Sequence, residues 1–505
     1  MNTKALRQKI LDLAIRGKLV PQDPNDEPAE VLLERIRKQK QQMLKEGKLK
    51  KKDIKNDTII FKGEDNLHYE KFQDGTVKCI EDEIPFEVPE GWSWARLRDI
   101  CMMSAGKSKS TVHIKSEPFE GSYPCFGGNG VRGYVDEYNQ DGIFSIVGRQ
   151  GALCGNINIA IGKFYATEHA VVTTLFDGID FKWSNYILEA LQLNNYATGA
   201  AQPGLSVANI LNVFVPVPPT QEQDRIGNNV YESLKIVEAL EQEKIDLQKI
   251  IITAKTKILD LAIRGKLVPQ DPNDEPASVL LERIRTEKEE LIKQGKIKRD
   301  KKESVIFKGD DNSYYLRTGR VEESLEDWRF DDLPETWKIC CLGELCDYGD
   351  CINVNTEDIA EDAWILDLED IEKDTGTVLK KVTKDQRNSV STKHKFHSGQ
   401  VLYSKLRPYL NKVVLSDADG YCTSEILPLE FKNCVLPEYA RYYLMSGTFI
   451  AYANHCSYGV KMPRLGTTDG KKAIFSLPPL SEQKRIVETI DFCFVQLNKI
   501  SEALA

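Results

Sequence analysis

The chain has 505 residues, a formal net charge of −9 and a sequence pI of about 5.5. A chain of this length is too long to fold around a single hydrophobic core, so we expect two to four domains. The acidic balance argues against a generic polyanion binder, so nucleic-acid binding would require a local basic face. No stretch is apolar enough for a signal peptide or a membrane span, and the twelve cysteines include no C-x-x-C pair. We therefore expect a cytoplasmic protein with reduced thiols.

One segment of twenty residues occurs twice in the chain, letter for letter. The letters ILDLAIRGKLVPQDPNDEPA occupy residues 10–29 and again residues 258–277, 248 positions later. A repeat of this length indicates two similar halves and suggests a two-fold target. Both copies continue into a helix rich in Glu, Lys and Leu, which is predicted to end at Gly47 in one copy and at Gly295 in the other.

Two globular regions of mixed composition follow these repeats, at about residues 85–219 and 326–480. Each is opened by a Pro and a Trp, and each has short β-like runs followed by a helical stretch. The two regions share few letters but the same order of predicted elements. They return to register at their ends, where Pro-Pro-x-x-Glu-Gln-x-Arg-Ile occurs at residues 218–226 and 478–486.

A long apolar seam begins after each of these junctions. From Ile226 to Leu261, alternating steps of four and three residues meet nine apolar side chains in eleven positions, which is typical of a coiled coil. The spacing predicts one helix over about 220–264 and a second over 481–505. The N-terminal residues 4–16 match the end of the first helix, and only positions 246–248 lack a counterpart. The termini therefore look like a cut across a second copy of the central helix.

These observations predict an α+β fold in a circular pseudo-two-fold arrangement. Two α/β target-recognition domains would be separated by two long antiparallel coiled-coil helices. The predicted boundaries are residues 1–84 for the N-terminal helical part and linker, 85–219 for the first domain, 220–325 for the central helix and linker, 326–480 for the second domain, and 481–505 for the C-terminal helix.

The chain resembles the specificity subunits of Type I restriction-modification systems. The resemblance covers nearly the whole chain and rests on ILDLAIRGKLVPQ in two copies, the two Pro-Pro-x-x-Glu-Gln-x-Arg-Ile junctions, PEGWSW, GRQGALCGNI and YSKLRPYLNKV. It implies that each globular region reads half of an interrupted double-stranded DNA sequence. It also implies docking of two methyltransferase subunits and of a restriction subunit that is also the translocase. A rigid spacer suits this role, because half-site spacing is geometric.

Basic and amide side chains near Gly-rich turns are the candidate DNA contacts. Residues 380–412 of the second region are strongly basic and could neutralise phosphates, whereas residues 344–374 are acidic and should face away from DNA. Arg149 and Arg407 rank first because they occupy comparable places after the first core strand. A structural ion pair, or a solvated surface, is the alternative for each candidate. The predicted DNA contacts are Lys107, Lys109, Asn129, Arg132, Arg149, Lys163, Gln202, Lys393, Lys395, Lys405, Arg407, Lys412, Lys461 and Arg464.

The repeated block predicts a docking surface for the methyltransferase subunits at Arg16, Lys18, Arg264 and Lys266. The alternative is that Gly17 and Gly265 simply cap the two helices. No catalytic motif is found: the chain lacks an Asn-Pro-Pro-Tyr sequence, a cofactor loop and a credible Ser-His-Asp set, so we expect no cofactor and no activity of its own. Cys340, Cys341, Cys346 and Cys351 cluster without zinc-type spacing, so no metal is expected. The rival functions are a bilobed DNA-acting nuclease and a protein-only scaffold.

Overall fold

The computed structural model describes residues 2–151, 153–199, 203–299, 303–311, 313–325, 333–387 and 390–504. The chain forms two compact units, residues 1–244 and 245–505, and the longest helix runs through the boundary. Among the described helices, none combines the length and apolar character that a membrane span requires.

The first unit begins with helices and three small strands and continues into the first globular region. Its elements up to the globular region are α1 (Thr3–Ile15), α2 (Ala29–Lys45), α3 (Lys51–Ile54), β1 (Ile59–Lys62), β2 (His68–Lys71) and β3 (Val77–Cys79). The globular elements are β4 (Ser93–Arg96), α4 (Leu97–Ile100), β5 (Cys101–Ala105), β6 (Tyr123–Gly127), β7 (Gly130–Val135), β8 (Gln140–Gly148), β9 (Ile157–Ala166), β10 (Ala170–Leu175), α5 (Phe181–Ala190), α6 (Val207–Leu211) and β11 (Phe214–Val217).

The second unit repeats this order after α7 (Thr220–Ile263). Its first elements are α8 (Ala277–Lys293), β12 (Ser304–Lys308), β13 (Tyr314–Thr318) and β14 (Val321–Ser324). Its globular elements are β15 (Lys338–Cys341), α9 (Leu342–Leu345), β16 (Ile352–Val354), β17 (Trp364–Leu366), β18 (Val382–Thr383), β19 (Lys393–Phe396), β20 (Val401–Ser404), β21 (Val413–Leu415), β22 (Gly420–Thr423), β23 (Ile426–Leu429), α10 (Pro437–Leu444), α11 (Gly447–His455), α12 (Thr467–Lys472) and β24 (Ile474–Leu477). The last helix is α13 (Leu480–Leu504).

The sheets of the two globular regions differ, although their elements follow a similar order. The first region has one six-stranded sheet in the order β5-β10-β8-β9-β6-β7, in which β6 and β9 are parallel. The second has a five-stranded sheet, β16-β19-β22-β17-β18, and a separate three-stranded sheet, β21-β20-β23. A two-stranded pairing that joins the start and end of the region is common to both, β4 with β11 and β15 with β24. The two regions therefore have a similar order of elements along the chain but differ in how their strands are arranged in sheets.

The predicted helices form where the apolar spacing placed them. Helix α7 begins at Thr220 and ends at Ile263, and α13 spans Leu480–Leu504. In the first unit, Ile226, Val230 and Val237 of the seam are buried in one cluster with side chains of α1, α2 and α5. In the second unit, Leu259 and Ala262 of α7 are buried with side chains of α8, α10 and α13. Each globular region thus packs on its own part of a long helix.

The glycine after each helical repeat ends its helix in the left-handed conformation. Gly17 has φ +63° and donates to the Ala14 carbonyl, while the Lys18 amide donates to the Leu13 carbonyl at 2.8 Å. The same pattern recurs at Gly265, whose φ is +65°. These are the two hydrogen bonds of a Schellman motif, so the capping interpretation of this glycine is confirmed. A Cβ on Gly17 would lie 2.5 Å from Cγ of Pro89.

Candidate nucleic-acid interface

A carboxylate at the start of each long helix binds two distant segments of the chain. Glu222 of α7 accepts hydrogen bonds from Trp92 Nε1 at 2.9 Å and from Gln22 Nε2 at 3.0 Å. In the second unit Glu482 of α13 accepts from Trp337 Nε1 at 2.9 Å and from Gln270 Nε2. Burial raises the pKa of both carboxyl groups, and the hydrogen bonds oppose that shift.

The next repeated residues of the junction make further hydrogen bonds and ion pairs to distant segments. Gln223 Oε1 accepts from the Asp180 amide at 2.9 Å, at the start of α5, and Gln483 Oε1 accepts from the Leu436 amide at 2.8 Å, at the start of α10. Arg225 pairs with Asp26, and Arg485 pairs with Asp274 at 2.7 Å. We call Glu222, Gln223 and Arg225 with their partners the first clamp, and Glu482, Gln483 and Arg485 with theirs the second clamp.

The clamps explain much of the repeated block, and residue types alone did not reveal them. Gln22 and Asp26, like Gln270 and Asp274, bind the helix start of their own unit. The joint repetition of Gln-Asp-Pro-Asn-Asp and Glu-Gln-x-Arg was the available signal. Two side chains of each repeated block therefore have an intramolecular role, whether or not a partner also binds the block.

The four predicted docking residues lie next to these clamps but differ in their contacts. Arg16 pairs with Asp12 at 2.7 Å and lies 4.5 Å from the centre of the Phe86 ring, and Arg264 pairs with Asp260 at 3.0 Å. Lys18 and Lys266 are exposed. The two lysines are thus exposed at the helix ends, and each of the two arginines is paired within its own helix.

Two residues of the first globular region's predicted set, Asn129 and Arg132, lie at one turn. Asn129, in the turn between β6 and β7, accepts a hydrogen bond from Asn156 Nδ2 at 2.8 Å. The Asn156 carbonyl in turn accepts from the Gly148 amide, directly before Arg149. Arg132 lies on β7 beside the same turn and is exposed, and Arg149 is half-buried. Asn129, Asn156 and Arg132 thus lie at one turn, and Arg149 is connected to that turn through the backbone of Gly148.

The remaining predictions of the first domain have mixed outcomes. Lys107 is exposed in the loop after β5. Lys109 pairs with Glu137 at 2.7 Å and has 15% of its side chain exposed, so the structural ion pair describes it. Lys163 lies 4.7 Å from the centre of the Tyr138 ring and is exposed. Gln202 lies outside the described residues.

The first part of the basic stretch of the second globular region is neutralised by acidic residues. The stretch begins in the loop before β18, and its first four cations each have a carboxylate partner within the same unit. Those pairs are Lys380 with Asp370 (3.7 Å), Lys381 with Asp417 (2.7 Å), Lys384 with Glu361 (3.0 Å) and Arg387 with Asp370 (2.6 Å). The acidic segment therefore does not simply face away from the basic one, because it supplies three of these pairs.

Two further lysines of the stretch are engaged inside the domain. Lys393 on β19 has only 2% of its surface exposed and donates to Ser391 Oγ, so it is unsuited to phosphate contact in this conformation. Lys412 donates to the Leu368 carbonyl at 2.6 Å, and burial lowers its pKa. Lys395, Lys405 and Arg407 have no carboxylate within 4 Å among the described residues, and with Lys461 they are the cations left for an external anion.

Arg464 has a supporting contact rather than a free guanidinium. It pairs with Glu425 through both Nε and Nη2, at 3.0 and 2.8 Å, and its Nη1 donates to the Met462 carbonyl. An isolated β-bridge closes a short loop in each globular region. One bridge joins Thr198 to Gly204, and the other joins Tyr458 to Arg464. We name residues 198–204 the first tip loop and residues 458–464 the second tip loop.

The backbone contacts of the tip loops correct the equivalence expected between Arg149 and Arg407. The Arg149 carbonyl accepts from Leu205, and the Lys405 carbonyl accepts from Leu465. Two residues later, Gly151 donates to the Pro203 carbonyl and Arg407 donates to the Pro463 carbonyl at 2.7 Å. Arg149 thus corresponds to Lys405, and Arg407 corresponds to Gly151. Arg149 directly follows the end of β8, whereas Arg407 lies three residues after the end of β20.

The four clustered cysteines do not form a metal centre among the described residues. Cys340, Cys341 and Cys346 are buried, and burial raises the pKa of their thiols. In that part of the chain no three His, Cys, Asp or Glu side chains are arranged to hold a metal ion.

Comparison with known proteins assigns the family. The model of the Type I restriction modification DNA specificity domain matches residues 89–254 and again residues 334–503. The chain therefore belongs to the family of Type I restriction-modification specificity subunits and carries two copies of its domain.

The chain is also similar to specificity subunits of Type I restriction enzymes. The chain is 27% identical to the Type I restriction enzyme EcoAI specificity subunit of Escherichia coli, over 98% of this chain and 90% of that protein. It is 45% identical to the EcoprrI specificity subunit of Escherichia coli over 29% of this chain and 36% of that protein. A chain of a solved type I restriction-modification assembly aligns with a TM-score of 0.49 and 15% identity, covering 83% of this chain and 94% of that chain.

Proposed function

We propose that the chain reads an interrupted double-stranded DNA sequence, one half-site per globular region, and has no catalytic activity of its own. The observation that carries the proposal is the duplication of the specificity domain, each copy clamped to its own long-helix start. Identical clamps hold unlike globular surfaces, and unlike surfaces on equivalent supports are what an asymmetric bipartite site requires.

Partner docking is part of the same proposal. Two methyltransferase subunits would bind the duplicated region around Lys18 and Lys266, with Arg16 and Arg264 beside them, and restriction and translocase subunits would join the complex. Two equal surfaces fit a partner that is present in two copies. Alanine substitution of Lys18 alone should weaken recruitment of one of two methyltransferase subunits, which size-exclusion chromatography with light scattering would detect.

The DNA contact is tested by the salt dependence of binding. We expect the full chain, in complex with methyltransferase subunits, to bind its site with an affinity that falls steeply as salt rises. The logarithm of the binding constant should fall against the logarithm of the salt concentration, with a slope of about 0.9 for each phosphate contact. Replacing Lys395, Lys405 and Lys461 together by Ala should lower both affinity and slope.

A matched control separates contact from net charge. Replacing Lys380, Lys381 and Lys384 by Ala changes the net charge equally, but these lysines have acidic partners. A smaller effect of the control on the slope supports the proposed surface. Equal effects would contradict it, a complete lack of DNA binding would favour a protein-only scaffold, and metal-dependent cleavage by the chain alone would favour a nuclease.

We also propose that the long helices form an antiparallel coiled-coil spacer closed into a pseudo-two-fold ring. The support is the sequence register, in which the two termini match consecutive parts of α7 except for positions 246–248. Joining the termini through a three-residue linker and opening the chain in the turn at Arg320 should preserve the methylated sequence. A change in the distance between half-sites would contradict the ring.

A further inference from the structure

The described ends of the two tip loops are held alike, whereas the sequences between those ends differ. Gly199 and Gly459 have φ +96° and +98°, and each loop closes with a proline whose carbonyl accepts a backbone hydrogen bond. Between the glycine and the proline the sequence is Ala-Ala-Gln in the first loop and Val-Lys-Met in the second. The glycine and the proline are thus common to both loops, while the three positions between them, and the first and last residue of each loop, differ. Loops on an equivalent support that differ in this way are suited to contacting different ligands.

Arg407 adopts a conformation that its counterpart accommodates without strain. Its φ and ψ are +50° and +64°, in the left-handed region, and the equivalent residue of the first domain is Gly151, with φ +89°. A side chain with a Cβ is disfavoured there. Since Gly151 makes the equivalent backbone hydrogen bond, that bond does not require an arginine.

The buried Nε of Arg407 has no hydrogen-bond partner, and the same is true of Arg387 and Arg441. Those two arginines donate through their Nη atoms, whereas Arg407 has no side-chain hydrogen bond and no carboxylate within 4 Å among the described residues. Arg387 and Arg464, by contrast, are each bound by carboxylates. A strained residue with an unneutralised donor fork indicates a ligand-contacting position.

Exposed apolar side chains lie on the tip loop beside Arg407. Val460 is fully exposed, and Tyr458 and Met462 are more than two-fifths exposed. The loop is held rigidly, because Arg464 is fixed by Glu425 and donates to the Met462 carbonyl. Lys461 adds a positive charge to the same tip. Apolar groups next to free cations match the edge of a DNA base pair, which offers acceptors together with the thymine methyl group.

We propose that Arg407 and residues 460–462 are the specificity-determining surface of the second recognition domain. Arg407 directs its donor fork at the N7 and O6 acceptors of a guanine in the major groove, while Val460 and Met462 contact a neighbouring thymine methyl. Arg464 acts as a positioning residue for the loop. The proposal rests on the function proposed above and adds which side chains read one half-site.

The decisive experiment substitutes Arg407→Gly, the residue type found at the equivalent position, in the full chain with its methyltransferase subunits. Mapping methylated adenines across a genome gives both half-sites for the unchanged chain. The variant should lose preference for one G·C pair in one half-site by about tenfold, the size expected for a bidentate arginine contact. The other half-site should be unaffected, and the melting temperature should stay equal or rise because strain is removed.

Two further variants complete the test. The double variant Val460→Ser, Met462→Ser should relax a T·A position of the same half-site, and Arg320→Gly, in the exposed turn between β13 and β14, is the charge-matched control with no expected change. Methylation that falls equally at all sequences, an unchanged site, or a lower melting temperature of Arg407→Gly would overturn the inference. If the unchanged chain directs no bipartite methylation, the proposed function itself fails.

Discussion

The small three-stranded sheets of the two units are joined to their globular regions by opposite chemistry. In the first unit Glu70 of β2 is buried and receives two hydrogen bonds of 2.6 Å from Arg96 and one of 2.7 Å from Thr58. In the second unit the corresponding positions are Leu316, Cys341 and Ser304. The pairing partners establish the match, since Glu70 faces Ile60 as Leu316 faces Ile306, and Arg96 and Cys341 end equivalent strands.

The second unit buries an apolar cluster where the first buries an ion pair. Leu316 and Cys341 pack with Ile306, Ile339 and Ile474. In the first unit burial works to raise the pKa of Glu70, but hydrogen bonds from Arg96 and Thr58 lower it overall. A buried ion pair and an apolar cluster of similar volume can stabilise a joint about equally, but they respond differently to the loss of one member. Duplication therefore preserved the joint and changed its chemistry.

The largest expected effect is the asymmetric response to loss of one partner. Arg96→Ala leaves the buried Glu70 carboxylate unpaired and should lower the free energy of unfolding of the first unit by about 3–5 kcal/mol. The double variant Glu70→Leu, Arg96→Cys copies the second unit and should restore most of that loss. Denaturant unfolding of the full chain, followed by hydrogen exchange in each unit, measures both.

A surface arginine serves as the control for that experiment. Arg317→Ala removes a half-exposed pair with Glu322 in the second unit and should change the free energy of unfolding by less than about 1 kcal/mol. If the double variant were as unstable as Arg96→Ala, the equivalence of the two joints would be wrong.

The clamps, by contrast, should respond alike in the two units. Glu222→Ala orphans the donors of Trp92 and Gln22, and Glu482→Ala orphans those of Trp337 and Gln270. Each substitution should cost about 3 kcal/mol, since an unsatisfied buried group costs about 1–3 kcal/mol. The conservative Gln variants retain one acceptor oxygen and should cost less. A large difference between the two Ala variants would show that the clamps are not equivalent.

Smaller losses are expected at the helix-ending glycines, again equally in both units. Gly17→Ala and Gly265→Ala place an L side chain at positive φ, which costs about 1–2 kcal/mol, and their Cβ atoms would also meet Pro89 and Pro334. Gly47→Ala is the matched control, because Gly47 has φ +73° but nothing within 4 Å of an added Cβ. Thermal unfolding that is equal for Gly17→Ala and Gly47→Ala would exclude a contribution from the contact with Pro89.

The smallest effect is a pH dependence common to both clamps. The folded pKa values of Glu222 and Glu482 are raised above the ordinary 4.5, so the folded state binds more protons than the unfolded state between 4.5 and the raised value. Stability should therefore fall as the pH rises through that window. The Gln variants should flatten this decline, as measured by melting temperatures from pH 4 to pH 8. An unchanged slope would assign the decline to other groups.

Local patterns were sufficient to predict the two long helices and the glycines that end the repeated helices. The apolar seam predicted α7 and α13 to within a residue or two, and Gly17 and Gly265 marked helix ends because only glycine adopts positive φ freely. The exact repeat predicted two similar halves, and the family match of two domains agrees with that. Such features depend on residues close together in the chain.

The roles of the charged residues required contacts between distant parts of the chain. The stretch at residues 380–412 is basic as a string of letters, yet Arg387 and Lys384 are paired with acids about twenty residues earlier. The register of Arg149 and Arg407 likewise depends on where Leu205 and Leu465 donate their hydrogen bonds. Charge neutralisation and strand register depend on which residues lie close together in the folded chain. They cannot be predicted from the number of charged residues in a segment.

The repeated block shows both contributions in one segment. Its letters are enough to establish duplication and helix termination, since both follow from identity and from the conformational freedom of glycine. That Gln22 and Asp26 bind Glu222 and Arg225, about 200 positions away, follows from folding alone, because side-chain hydrogen bonds act over about 3 Å whatever the separation along the chain.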